Sequence, residues 1–285
     1  MLAMLSHGTS HTGMLREINE DYFDADDRLQ LFIVADGMGG HAGGHIASSL
    51  ATKSVHDYVD RELAFCAHVE VSELLVRALI NAHEDIREAA NENLLLFGMA
   101  TTIIVAMQRG GTLTMAHLGD CRAYRQRNGC LERLTSDHSY VAAQIKEGRL
   151  SEEEAREHPY RSVVTRGLGG YREEIGASDV EITESAISLG DRFLLCSDGL
   201  TTMLRDEKIH EIFQEGADAS SLEVCKIMIA EANACGGNDN ITTVLMSAED
   251  VPEGTLMERR SPEVYRRLYE ALFKERAACE HTTAQ

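Results

Sequence analysis

The sequence predicts an antiparallel sheet system with helices laid on its outer faces. Short β-rich runs recur at 29–35, 101–108, 112–118, 122–126, 192–196 and 241–247. Arg109-Gly110-Gly111 and Arg127-Asn128-Gly129 join neighbouring runs as hairpin turns. Helical periodicity falls between groups of strands rather than after each one, so the strict alternation of a parallel βαβ sheet is absent.

The helices follow from spacing. Val71, Leu74, Leu75, Ala78, Leu79, Ala82 and Ile86 recur at three and four residues and define one face of a long helix. Ala47, Leu50, Ala51, Val55 and Tyr58 do the same after a glycine-rich loop, and Leu222, Cys225, Ile229 and Ala232 mark a third helix. Residues 135–176 are polar and carry a helical segment, 151–157, opened by a Ser-x-x-Glu capping box, which predicts an insertion standing off the core. After Val251-Pro252-Glu253-Gly254 the pattern restarts as an amphipathic helix, with Ser261 as N-cap, Pro262 at its first position, and Val264, Tyr265, Leu268, Leu272 and Phe273 on one stripe. The expected organisation is a domain over 1–250 and a tail over 251–285.

Composition limits the partners. The 285 residues hold 27 Lys+Arg against 47 Asp+Glu, a formal charge of −20, with no basic cluster. Nucleic acid and anionic membrane surfaces are therefore excluded as partners. The 7 cysteines are scattered and lack thiolate-zinc spacing, which reads as reduced thiols. The N-terminal residues lack a basic start, an apolar signal stretch and a small-residue cleavage site, and no apolar run approaches the ~20 residues of a membrane span. A cytoplasmic location is expected.

The chemistry concentrates where apolar runs meet acidic residues. Leu31-Phe32-Ile33-Val34-Ala35 leads into Asp36-Gly37, Met115 to Gly119 into Asp120, and Phe193 to Ser197 into Asp198-Gly199, while Asp239 precedes the run from Ile241. One Asp-Gly after a strand reads as a turn. Several in one chain, gathered at one rim of a sheet core, repel each other unless cations intervene. An all-oxygen donor set favours Mg²⁺ or Mn²⁺ over Zn²⁺, and a bridging carboxylate can hold two ions ~3.5–4 Å apart.

The motifs then carry a resemblance. Arg16-x-x-Asn19-Glu20-Asp21, Val34-Ala-Asp-Gly-Met-Gly-Gly-His41, Gly98-Met-Ala-Thr-Thr102, Leu118-Gly-Asp-Cys-Arg-Ala-Tyr124, Leu134-Thr-Ser-Asp-His138, Ser197-Asp-Gly-Leu200 and Gly236-Gly-Asn-Asp-Asn-Ile-Thr242 stand in the order of the metal-dependent protein phosphatase (PPM) family. The chain resembles its type 2C Ser/Thr phosphatases, in the bacterial branch. The resemblance implies an α+β fold, a four-layer α-β-β-α sandwich of two antiparallel sheets flanked by helices, with the insertion at 135–176 as a flap. It implies two to three Mn²⁺ or Mg²⁺ ions per chain, held by Asp36, Gly37, Asp198 and Asp239, with Asp120 and Asp198 at a third site. It also implies Asp21 behind metal-bound water and Arg16 on the phosphate. The implied activity is hydrolysis of phosphoserine and phosphothreonine by a metal-bridging hydroxide, in signal transduction opposite a cognate Ser/Thr kinase pathway, on phosphoprotein substrates. His41, in the metal loop, is the candidate proton donor to the leaving alkoxide.

Competing readings stand beside this one. Gly37-x-Gly39-x-x-Ala42 formally matches a dinucleotide-binding loop, but Asp36 would face a pyrophosphate and the β-α-β order does not follow. His41 and His45 lack a third zinc ligand, and glycines lie between them. Cys121 beside Asp120 reads as a small buried residue, with a redox-sensitive site as the alternative. Asp137-His138 is expected at the base of the flap, and Gly167 is expected to loosen the flap hinge. A catalytically silent relative used for binding predicts broken ligands, whereas Asp36, Gly37, Asp120, Asp198 and Asp239 are all present.

Overall fold

Long uninterrupted apolar strands occur where both faces of a sheet are covered, and that is the arrangement found. The structure is a computed structural model that describes residues 1–39, 43–65, 69–252 and 256. One five-stranded antiparallel sheet has the order β1 (Leu2–His11), β11 (Ile241–Asp250), β10 (Arg192–Cys196), β6 (Arg122–Arg127), β7 (Cys130–Arg133). The second has the order β2 (Asp21–Asp26), β3 (Leu31–Met38), β4 (Ala100–Arg109), β5 (Thr112–Leu118), β9 (Glu181–Ala186), with the short β8 (Leu168–Gly169) paired to β4.

Strand side chains alternate between faces, and the alternation divides the interior into three apolar layers. Phe32 and Val34 of β3, Ile104 and Ala106 of β4, Phe193 and Leu195 of β10, and Val244 and Met246 of β11 fill the space between the sheets. Their neighbours Leu31, Ile33, Ala35, Ile103 and Val105 face outward against α1 (Gly43–Phe65) and α2 (Val71–Glu92). On the other side Leu194, Cys196, Ile241 and Leu245 pack against α6 (Asp206–Glu215) and α7 (Ser221–Ala234), with Leu200 and Leu204 at and just after the short α5 (Asp198–Met203). The result is the α-β-β-α sandwich the motifs imply.

The insertion carries α3 (Tyr140–Lys146) and α4 (Glu152–Glu157), and Ser151 and Glu154 form the capping box expected from sequence. His138 holds its base: Thr165 N donates to His138 O at 2.7 Å, and Ser139 bridges Val164. The expected loosening by glycine does not occur. A Cβ at Gly167 would stand 2.9 Å from the Thr101 carbonyl, so glycine lets the flap base lie directly on β4. Asp36 and Gly37 likewise lie inside β3, which continues to Met38, and not in a turn after it. The tail helix expected from Ser261 onward lies outside the described residues. Among the described helices none is long and apolar enough to cross a membrane.

Candidate metal centre and active site

Antiparallel pairing brings the acidic residues to one end of the sandwich. Asp21, the first residue of β2, is the register partner of Asp36 near the end of β3, and Asp36 in turn faces Thr102. Asp120 follows β5. Asp198 follows β10, and Asp239 precedes β11, the strand paired with β10. Carboxylates far apart in sequence thus meet where strand ends from both sheets converge.

Their electrostatics are unfavourable without cations. Burial pushes the Asp21 carboxyl up to about 7, with Asp198 and Asp239 adding repulsion against a hydrogen bond from Ser197. Burial first, then the charges of Asp198 and Asp137, pushes Asp120 up to about 8. Asp36 is raised well above the ordinary carboxylate range by burial and by Asp21, Asp198 and Asp120, and lies within hydrogen-bonding reach of Asp198. Asp198 is raised by burial and by Asp239. The nearby Arg122 is committed elsewhere, donating from Nε and Nη2 to Asp137 at 3.0 and 2.8 Å. Asp21 Oδ1, Asp198 Oδ1 and Glu20 Oε1 are buried without any hydrogen-bond partner. Orphaned buried carboxylate oxygens in an all-oxygen cluster are the donor set that hard divalent cations satisfy, so the residues present fit the ions the motifs imply.

Arg16 stands at the edge of this cluster on a loop fixed at several points. Its Nη2 donates to Asp239 Oδ2 at 2.8 Å. Met14 N donates to Gly237 O at 2.7 Å, and Asn240 Nδ2 donates to Thr12 O at 2.8 Å and Ile18 O at 3.0 Å. Gly13 adopts φ +82°, and a Cβ there would overlap the Asp239 carbonyl. The loop bearing Arg16 and the loop bearing Asp239 are therefore one rigid unit.

Several contributors go beyond the residues singled out from sequence. Ser197 Oγ donates to Asp21 Oδ2 at 2.7 Å and accepts from Thr242 N at 3.0 Å, locking the buried carboxylate across the two sheets. Asn240 Oδ1 accepts from Glu20 N at 2.8 Å. Glu20 reaches the space left by Gly44, where a Cβ would stand 2.5 Å from its Oε1. Cys121 is buried, 3.2 Å from Thr102 Oγ1, and burial and the charge of Asp36 hold its thiol well above the ordinary range, as befits a small packed residue. His41 lies outside the described residues.

In a second group, His117, His138 and Glu181, the potential ligand atoms lie within 4.8 Å of one another. Its geometry is that of a hydrogen-bonded stack. The imidazoles are parallel, 3° between planes and 4.6 Å between centroids, so their in-plane lone pairs run side by side instead of converging. Gly119 N donates to His138 Nδ1 at 3.2 Å, which leaves the proton on Nε2 to meet Glu181 Oε2 at 3.1 Å. His117 Nε2 donates to Ser136 O at 3.0 Å. These contacts tie the Asp120 loop to the flap base.

Comparison with known proteins agrees with this fold. The sequence pattern of protein phosphatase 2C matches residues 7–233. The chain belongs to the protein phosphatase 2C family. It is 33% identical over 245 residues to the serine/threonine phosphatase stp of Listeria innocua, covering 85% of this chain and 95% of that one. It is 34% identical over 251 residues to the serine/threonine protein phosphatase PstP of Mycobacterium tuberculosis, covering 86% of this chain and 45% of PstP. The crystal structure of the M. tuberculosis phosphatase superposes with a TM-score of 0.78 at 33% identity, covering 87% of this chain and 100% of that chain. A structure of the PstP catalytic domain in complex with two manganese ions superposes at 0.77 with 32% identity, covering 88% and 100%.

Proposed function

We propose that the chain is a metal-dependent protein serine/threonine phosphatase, that residues 1–250 form its catalytic domain and 251–285 a separate tail, and that the acidic cluster is its active site. The observation that carries the assignment is the set of buried carboxylates Asp21, Asp36, Asp120 and Asp198, which form no salt bridge among the described residues and feel Arg122 only at longer range. Asp36, the Gly37 carbonyl, Asp198 and Asp239 would hold two Mn²⁺ or Mg²⁺ ions, and Asp120 with Asp198 a third. When bound, the cations supply Lewis acidity, lowering the pKa of a water and neutralising charge on the phosphoryl group. The related PstP domain, with its two manganese ions, supports the metal class.

The chain's own residues do the remaining work. Arg16 spends one N–H on Asp239 and keeps further donors of its planar fork for phosphoryl oxygens, whose charge it offsets. The bonds from Asn240 and Met14 hold the backbone that carries Arg16, and the pair with Asp239 orients its guanidinium, which lowers the ordering entropy to be lost when phosphate arrives. Ser197 holds Asp21 ready to accept a proton inside the cluster. His41, by its place in the motif, is the proton donor to the departing Ser or Thr oxygen.

Phosphoproteins would be the substrates, a cognate kinase the opposing activity, signal transduction the process and the cytoplasm the location. The test is release of phosphate from a phosphothreonine peptide. The account requires dependence on Mn²⁺ or Mg²⁺ and abolition by Asp36→Asn and by Asp239→Asn. A folded wild-type protein inactive with every divalent cation would favour the silent binding module instead.

A further inference from the structure

Scattered exposed apolar side chains are ordinary on protein surfaces, but a group of them on a rigid loop at the mouth of an active site is not. Met14, Leu15 and Ile18 are 63%, 69% and 52% exposed, and they flank Arg16 on both sides. Flexibility does not account for them. The backbone of this loop is held by Met14 N to Gly237 O, by Asn240 to Thr12 O and Ile18 O, and by the close approach of Gly13 to Asp239. Met14 is also seated on Gly237, where a Cβ would stand 2.7 Å from its Cγ. The fold thus spends several hydrogen bonds presenting apolar surface beside the guanidinium.

We infer that Met14, Leu15 and Ile18 form an apolar subsite for the residues flanking the phosphorylated serine or threonine, so that the enzyme selects phosphopeptides with large apolar side chains next to the phosphoresidue. The inference rests on the phosphatase reading, with Arg16 as the phosphate ligand. The occupant follows from continuity with that site. An extended chain advances about 3.3–3.6 Å per residue, so a peptide whose phosphate reaches Arg16 lays its adjacent side chains within one or two residues of this surface. Burying such a side chain against a preformed apolar face favours binding, whereas a glycine or an acidic side chain gains nothing there. Because the loop is already ordered, the gain is not consumed by fixing the protein.

The test compares phosphothreonine peptides that differ only at the flanking positions, Leu/Phe against Ala, with p-nitrophenyl phosphate as a substrate lacking flanks. The wild-type enzyme is expected to favour the Leu/Phe peptide about tenfold in kcat/KM, chiefly through KM. In Leu15→Ser and in Ile18→Ser that preference should fall toward one, with kcat on the peptide held and p-nitrophenyl phosphate turnover not lost in proportion. Leu15→Met should restore the preference. Equal treatment of the two peptides by the wild type overturns the subsite while leaving the phosphatase intact. Equal loss on peptide and aryl phosphate in both serine variants also overturns it, since the residues would then merely support Arg16. Absence of metal-dependent turnover of any substrate by the wild type would instead remove the phosphatase reading itself.

Discussion

Stripping the cations from this protein should turn its carboxylate cluster into a proton store, and the stoichiometry follows from the shifted groups. In the metal-free chain Asp21 titrates at about 7 and Asp120 at about 8, and Asp36 is raised well above the ordinary range. At pH 6 Asp21 and Asp120 are mostly protonated, so cations entering the cluster must displace on the order of two protons per chain from these groups. Titration calorimetry with Mn²⁺, repeated in buffers of different ionisation enthalpy, counts them directly. The share released by Asp21 and Asp120 should shrink as the pH rises through about 7 and about 8. Stability has a matching sign. A carboxyl raised from its unfolded value favours the folded state fully below that value and loses the benefit as pH rises through the folded one. The metal-free protein should therefore weaken between about pH 4 and 8, by on the order of 4 kcal/mol for one such group, and saturating Mn²⁺ should flatten the decline. Manganese binding at pH 6 without proton release would refute the reasoning, because the carboxylates would then be ionised already.

The remaining predictions concern single residues. Gly37→Ala places a Cβ on the Gly44 carbonyl and 2.6 Å from the Glu20 carbonyl, backbone on both sides; urea unfolding should show a loss of several kcal/mol, about 3 or more, and metal affinity should fall with it. Arg16→Lys keeps charge but loses the fork, and should lower kcat/KM for a phosphopeptide about tenfold or more with little change in manganese affinity by calorimetry. His41→Ala should depress kcat for a phosphoserine peptide far more than for an aryl phosphate, and an equal loss on both would remove the acid role. His56, although burial opposes its charge, is raised to about 9 by Asp26, Asp57 and Asp24. With manganese saturating, stability measured by thermal unfolding should decline as pH rises from about 6.5 to 9, by up to about 3 kcal/mol, and His56→Gln should remove that slope.

What could be read from sequence follows the physics of burial. Strands such as 103–106 and 193–196 are covered on both faces, so they show as apolar runs, and α2 shows because one sheet face sets its spacing. Strands β1, β2 and β9 did not show. β1 is an edge strand whose polar half, Ser6 to His11, is only partly covered, and β9 keeps little of its surface buried. Asp36, Asp120 and Asp198 were legible because each follows an apolar run, and Asp239 because it precedes one, whereas Asp21 came only from the resemblance. Their gathering at one rim was expected, but the means were not: the register that sets Asp21 opposite Asp36 and the Ser197 bond across the sheets. Glu20 and Asn240 were missed because their roles are set by hydrogen bonds made through the fold, to residues distant in sequence. The glycine at 167 shows the opposite error: sequence suggests freedom where the structure has close contact.

The central claim is that the cluster around Asp36 is the metal centre, and anomalous diffraction from a manganese-soaked crystal tests it most directly. The account predicts two strong peaks bounded by Asp36, the Gly37 carbonyl, Asp198 and Asp239, with any third beside Asp120. Density at His117, His138 and Glu181 with none at Asp36 would contradict it.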